Sequence, residues 1–310
     1  MAKVFKDNSA RINCLDFNAN GDFLVTASDD ESLHVYNMNT GNLHKVIYSK
    51  KYGVELTRWT HAANSVICAS KNGFDESIRY LSLFDNRYIR YFKGHRDKVV
   101  SLAMSPINDT FMSGAVDDTV RLWDLRTNVC QGLLRIKGRP CVSFDPQGLV
   151  FTAAISSNTI KLYDTRSFDK GPFDTFYIKD HKPVEWMSLK FSNDGKYLLL
   201  STGESAIFLI DAFTGQKLQV YTGHVNDNGS QLEASFSPDA QFVISGSEDG
   251  TVHVWQTQTG KEVAVWRGHA GAVGAVQWDP RKMCVASACT NLVFWLPPPE
   301  QTLSYDKQNN

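Results

Sequence analysis

Long apolar runs are missing from this 310-residue chain. Stretches such as Tyr197-Leu198-Leu199-Leu200 fall far short of the ~20 residues that span a bilayer. The segment Met1-Ala2-Lys3-Val4-Phe5-Lys6 has no apolar signal stretch. Membrane-spanning and secreted classes are therefore not expected. Cys14, Cys68, Cys130, Cys141, Cys284 and Cys289 come without CxxC spacing or nearby histidine pairs, so neither a zinc site nor a disulfide framework is expected. Reduced thiols in a cytosolic or nuclear protein follow from that pattern. Neither sign of charge predominates, with 32 Lys and Arg against 33 Asp and Glu, a net −1. No G-x-S-x-G, phosphate-binding glycine loop or H-E-x-x-H spacing occurs, so neither catalysis nor a cofactor is expected. What is present, 42% hydrophobic and 21% charged residues, is the balance of a soluble globular protein with ample core.

An internal repeat decides the fold. Arg121-Leu122-Trp123-Asp124 follows the turn Asp117-Asp118-Thr119-Val120, and the pattern returns as Asp249-Gly250-Thr251-Val252-His253-Val254-Trp255-Gln256. Weaker copies end at Tyr36-Asn37, Leu81-Ser82, Tyr163-Asp164, Ile210-Asp211 and Trp295-Leu296. Landmarks at 36, 81, 123, 163, 210, 255 and 295 lie 40 to 47 residues apart, matching the WD40 period of roughly 40–45 residues. Copies also hold a strand closing in a turn, such as Phe144-Asp145-Pro146 or Phe236-Ser237-Pro238-Asp239. Short, evenly spaced β-segments cut by Gly, Pro and Asn/Asp turns are the sequence form of propeller blades.

The expected fold is all-β: a single seven-bladed WD40 β-propeller over residues 1–296. The last copy leaves its blade one strand short. Lys3-Val4-Phe5 can fill that place, closing the ring and removing a long sheet edge. Residues 297–310 lack apolar periodicity and begin with three prolines, which predicts a mobile tail.

His95, Ser113 and Asp117 invite a Ser–His–Asp reading. His224, Ser245 and Asp249, however, stand before Trp255 as the first three stand before Trp123. A nucleophile duplicated at one repeat position makes poor chemistry and natural architecture. These side chains are expected to bond one another inside a blade and satisfy buried polar groups. Repeat seven keeps His269 and Trp295 but has Cys289 at the Asp position, so its network is expected to be incomplete.

Several segments outside the repeat pattern narrow the match. They include Tyr48-Ser49-Lys50-Lys51-Tyr52-Gly53-Val54, Ser77-Ile78-Arg79-Tyr80-Leu81-Ser82-Leu83, Asp85-Asn86-Arg87-Tyr88-Ile89-Arg90-Tyr91-Phe92 and Ser167-Phe168-Asp169-Lys170-Gly171-Pro172-Phe173. From about Ala2 to Pro297 the chain resembles the WD repeat-containing protein 82 family. That resemblance implies a nuclear, non-catalytic scaffold. Its partners would be the catalytic and other subunits of COMPASS-type histone lysine-4 methyltransferases and the phosphorylated C-terminal repeat tail of RNA polymerase II. It also implies transcription-termination assemblies, either a protein phosphatase 1 complex or the cleavage and polyadenylation factor. The turn at Gly73-Phe74-Asp75 and the polar tail depart from the family's pattern.

Charge placement adds to this. In a propeller the loops that lead into each innermost strand emerge on one face. Residues 6–11, 50–58, 93–98 and 135–139 carry +1, +2, +2 and +3, a total of +8 on four adjacent loops. Clustered positive charge attracts anionic partners despite a neutral whole. Lys50, Lys51, Arg58, Arg96, Lys98, Lys137 and Arg139 are the candidate contacts for a phosphopeptide, which pairs well with such clusters. Tyr48, Tyr52 and Trp59 interleave with them and suit prolines and tyrosines of an extended peptide, or the bases of single-stranded RNA. Trp59 also fits a place in the blade core. A different function class is suggested by Trp123-Asp124-Leu125-Arg126 and Tyr163-Asp164-Thr165-Arg166, which resemble the WDxR box of cullin–RING ligase substrate receptors.

Overall fold

A computed structural model describes residues 3–73, 75–155, 158–179 and 184–297. Seven four-stranded antiparallel sheets form, six of them from consecutive strands. Blades one to six span residues 12–48, 57–92, 99–135, 141–177, 186–221 and 234–267. Blade seven combines strands Ala275–Trp278, Val285–Ala288 and Leu292–Trp295 with the N-terminal strand Lys3–Phe5. The first strand of each blade touches the first strands of both neighbours, and that of blade seven touches that of blade one. The ring is therefore closed around a central channel, as the repeat and its missing seventh outer strand required.

Closure rests on both backbone and side chains. Val4 pairs with Val293 and Phe5 with Leu292 in the sheet. The Phe5 ring sits 4.8 Å from Tyr36 of blade one and 5.8 Å from Phe294 of blade seven. One short strand thus covers a sheet edge and fastens the first blade to the last.

The repeated turns have local causes. In Asp-x-Ser/Thr turns between second and third strands, the carboxylate accepts from the backbone N–H two residues on. The distances are 3.1 Å for Asp30 to Ser32, 3.1 Å for Asp117 to Thr119 and 3.0 Å for Asp249 to Thr251. The residue between is left-handed, with φ of 64° at Glu31, 60° at Asp118 and 83° at Gly250. Such Asx turns need no other support. Turns between first and second strands use serine in a similar way: the Ser192 hydroxyl accepts from Tyr197 N–H at 3.0 Å, and that of Ser237 from Phe242 N–H at 2.9 Å. Gly21, with φ of 68°, lies so close to the buried Asp279 carboxylate that a Cβ would fall 2.3 Å from its oxygen. No side chain fits there.

Between these turns the strands bury Val, Ile, Leu and aromatic residues. Trp123, Trp186 and Trp255 are nearly fully enclosed. Trp59, in the first strand of blade two, is also buried, and its indole N–H donates to the Asp16 carbonyl at 2.9 Å. It is core, unavailable to a surface ligand. The only helix among the described residues is the 3-10 turn Phe168–Lys170, and no helix there is long and apolar enough to cross a membrane. The tail expected from 297 onward lies, from residue 298, outside the described residues.

Candidate functional site

Blade three assembles its four polar side chains as one chain of bonds. The Trp123 indole donates to Ser113 Oγ at 2.8 Å, Ser113 Oγ meets His95 Nε2 at 2.7 Å, and His95 Nδ1 meets Asp117 at 3.1 Å. Burial lowers the imidazole pKa despite the neighbouring Asp117 carboxylate, which favours the neutral ring. The polarity is then consistent: Ser113 donates to Nε2 and Nδ1–H donates to Asp117. Ser113 is fully buried, so this triad-like order faces the blade interior.

Blade seven corrects one expectation. Its network is complete, because Cys289 takes the aspartate's role. His269 Nε2 lies 2.6 Å from Ser287 Oγ, the Trp295 indole donates to the same oxygen at 2.7 Å, and His269 Nδ1 lies 3.2 Å from Cys289 Sγ. Burial pushes the thiol's pKa up. The hydrogen bond from His269 and the Asn291 N–H outweigh it, and the net result is a fall to about 6.

Blade six corrects another. Ser245 bonds to the Glu233 and Gly246 carbonyls at 3.4 and 3.1 Å, the Trp255 indole donates to the Thr222 carbonyl at 3.1 Å, and no hydrogen bond joins His224 to Asp249. His253 lies beside this rearranged set. It pairs in register with Ser245 where Arg121 pairs with Ser113. Its ring stacks on Trp255 at 5.6 Å and 16°, and its nitrogens engage Thr251 at 2.8 Å and Glu262 at 2.5 Å. His224 Nδ1 is left buried without a hydrogen-bond partner among the described residues. Burial first, then the neighbouring His253, lower the His224 pKa to about 4.

The candidate cations separate into two groups. Arg58 does not point to the outer surface: it donates to Cys14 Sγ and the Thr57 carbonyl, both at 2.8 Å, and reaches Glu233 at 3.6 Å. Lys190 approaches the same carboxylate at 3.4 Å. Burial works against the charge of Glu233, but Lys190 and Arg58 outweigh it and lower its pKa. Arg139 donates to the Trp186 carbonyl and to Gln231 Oε1, both at 3.0 Å, tying blades four, five and six together. Arg58, Lys190, Glu233 and Asp16 line a cavity of about 520 Å³ in the channel. Sequence reading missed this cluster because its partners come from distant blades.

Lys98 is also engaged, with Glu55 at 2.8 Å. Lys50, Lys51, Arg96 and Lys137 are exposed and form no ion pair among the described residues. The Lys50 ammonium lies 5.8 Å from the ring of Tyr48, which is 61% exposed. Tyr52 is covered instead by buried Arg79, whose guanidinium carbon lies 3.5 Å from the ring centre. The charge count needs a further correction. Asp29, Asp30, Glu31, Asp75, Glu76, Asp117 and Asp118 occupy turns between second and third strands that pack against the same loops, as in the Ile136 N–H bond to the Asp118 carbonyl at 2.8 Å. The positive face is thus a set of separate open cations interleaved with acidic turns.

On the opposite face, Arg126 of the WDxR-like segment is clasped by its own Asp124 at 2.6 and 3.0 Å. None of the six cysteines forms a disulfide, and no metal-binding cluster of His, Cys, Asp and Glu occurs among the described residues.

Closed blades, Asp-turn caps and buried Trp–Ser–His chains define a WD-repeat propeller. The family of the WD domain, G-beta repeat, matches residues 2–37, 86–124, 215–256 and 260–294. The chain is 52% identical to WD repeat-containing protein 82 of Drosophila melanogaster, over 98% of this chain and 96% of the other. It is 42% identical to the Set1 complex component swd2 of Schizosaccharomyces pombe, over 67% of this chain and 58% of the other. Identity to the COMPASS component SWD2 of Saccharomyces cerevisiae is 40%, over 67% and 63%. The chain belongs to the WD repeat-containing protein 82 family.

Proposed function

We propose that this chain is a non-enzymatic scaffold subunit of a COMPASS-like histone lysine-4 methyltransferase complex in the nucleus, and that its inter-blade face binds the phosphorylated C-terminal repeat tail of RNA polymerase II. The same reading assigns it to transcription-termination assemblies. The observation that carries it is similarity along 98% of the chain to a WD repeat-containing protein 82, joined to similarity to a COMPASS component. A closed ring supports the scaffold role, since its loops are held on a rigid frame and cost little ordering when a partner binds.

Open cations support the phosphopeptide role. Lys50, Lys51, Arg96 and Lys137 come from three successive inter-blade loops, and each phosphate brings a charge near −2 and strong acceptor oxygens. Tyr48 beside Lys50 offers a ring face to a proline of the peptide. Arg58 and Arg139 shape the channel mouth and make no ligand contact in this reading. Fluorescence anisotropy with a phosphorylated heptad-repeat peptide tests it. Single reversals should weaken binding modestly, by roughly 0–1 kcal/mol each. Lys51→Glu, Arg96→Glu and Lys137→Glu together should remove most affinity, and rising salt should weaken the wild type. Unchanged affinity in the folded triple variant would overturn this assignment.

A further inference from the structure

On the face opposite the inter-blade loops, turns of blades four and five enclose a cavity of about 630 Å³. Its walls carry Phe173, 59% exposed, and Phe213, 74% exposed, with Leu149 at 44%. Solvent exposure of two phenyl rings on one cleft leaves apolar area in water that a partner could cover. Neither ring is on loose chain. Phe173 N–H donates to the Leu162 carbonyl at 2.9 Å, and Phe213 N–H donates to Asp211 at 2.9 Å. The Thr214 N–H holds the same carboxylate at 2.8 Å. The backbone that carries both rings is thus fixed by hydrogen bonds, which lowers the ordering cost when a partner binds.

The cleft has a definite sign of charge. Asp145, Asp174 and Asp194 line it, and no Lys or Arg does. Asp145 and Asp194 are fixed by turn hydrogen bonds: Val150 N–H donates to Asp145 at 2.8 Å, and Ser192 donates to Asp194 at 2.6 Å. Lys196 pairs with Asp194 from outside at 3.2 Å, leaving the wall with a net negative charge. Arg166 and Lys170 lie beyond Phe173, in the neighbouring hollow.

We propose that this cleft between blades four and five docks a short extended peptide segment that carries an aliphatic or aromatic anchor beside lysine or arginine. The anchor enters between Phe173 and Phe213, and the cation faces Asp174. An acidic segment is repelled by the same wall. This site stands independently of the phosphopeptide reading.

Selection of phage-displayed random peptides against the immobilised wild-type chain tests it. Counter-selection uses the Phe173→Ser/Phe213→Ser variant, whose changes are at exposed positions and whose melting temperature serves as the folding control. Enriched peptides should combine one apolar anchor with Lys or Arg. Their synthetic versions should bind the double variant about tenfold or more weakly, and Asp174→Lys should weaken them too. Lys51→Glu on the other face should leave them unaffected. The proposal is overturned if no enriched peptide depends on Phe173 and Phe213, or if the dependent peptides are rich in Asp and Glu.

Discussion

Cys289 Sγ lies 3.2 Å from His269 Nδ1, in the place that Asp117 holds beside His95. A thiolate can accept from an imidazole N–H as a carboxylate does, so the network of blade seven survives the exchange. The exchange also makes stability depend on pH. The folded thiol titrates at about 6 and the unfolded one near 9.0, so between those values the unfolded chain binds more protons. Stability from this pair is therefore present in full above about pH 9 and lost as pH falls through about 6. Urea unfolding of wild type and Cys289→Ser across that window should show the wild type gaining on the variant as pH rises. Parallel curves would refute the thiolate pair.

His224 gives a second pH signature, at the acid end. Its folded pKa, lowered to about 4, lies below the unfolded 6.5, so the unfolded chain takes up a proton that the folded chain resists. Its contribution is intact above 6.5 and lost as pH falls toward 4. His224→Gln should flatten the acid limb of the stability profile. An unchanged acid limb would mean that the ring is hydrated in solution.

Equivalent aspartates should differ in cost. Asp117 accepts from the Thr119 and Arg96 N–H groups and from His95, so Asp117→Ala leaves the buried His95 ring without its acceptor, at roughly 1–3 kcal/mol. Asp249 bonds to Thr251 and not to His224, so Asp249→Ala should cost less. Chemical denaturation of both variants decides this; equal losses would contradict the distinction between blades three and six.

Deleting residues 1–6 uncovers the edge of strand Leu292–Trp295. A lower melting temperature and concentration-dependent aggregation should follow. A truncated chain that melts as the full one does would show that the ring closes without its N-terminal strand.

The repeat made the blades, their number and the N-terminal closure legible, because strand spacing and turn residues are local properties. Polar networks were legible in type and less so in geometry. In the sequence Cys289 stands out by its difference from aspartate, whereas what governs the bond is an acceptor of suitable reach. In blade six the matching His, Ser and Asp point to the same chain of bonds, while a residue outside the motif, His253, stacks on Trp255 and bonds Thr251 and Glu262. Charges were hardest. Arg58 and Glu233 are remote in sequence and meet only when the ring closes, and the charge of the inter-blade loops is offset by acidic turns packed beside them. Phe173 and Phe213 gave no signal, since nothing local separates an exposed phenylalanine from a core one.

Affinity purification of the tagged chain from nuclear extract, followed by mass spectrometry, tests the scaffold reading most directly. Stoichiometric recovery of the methyltransferase catalytic subunit and its COMPASS partners is the expected result. Recovery of a cullin–RING ligase adaptor in their absence would contradict it.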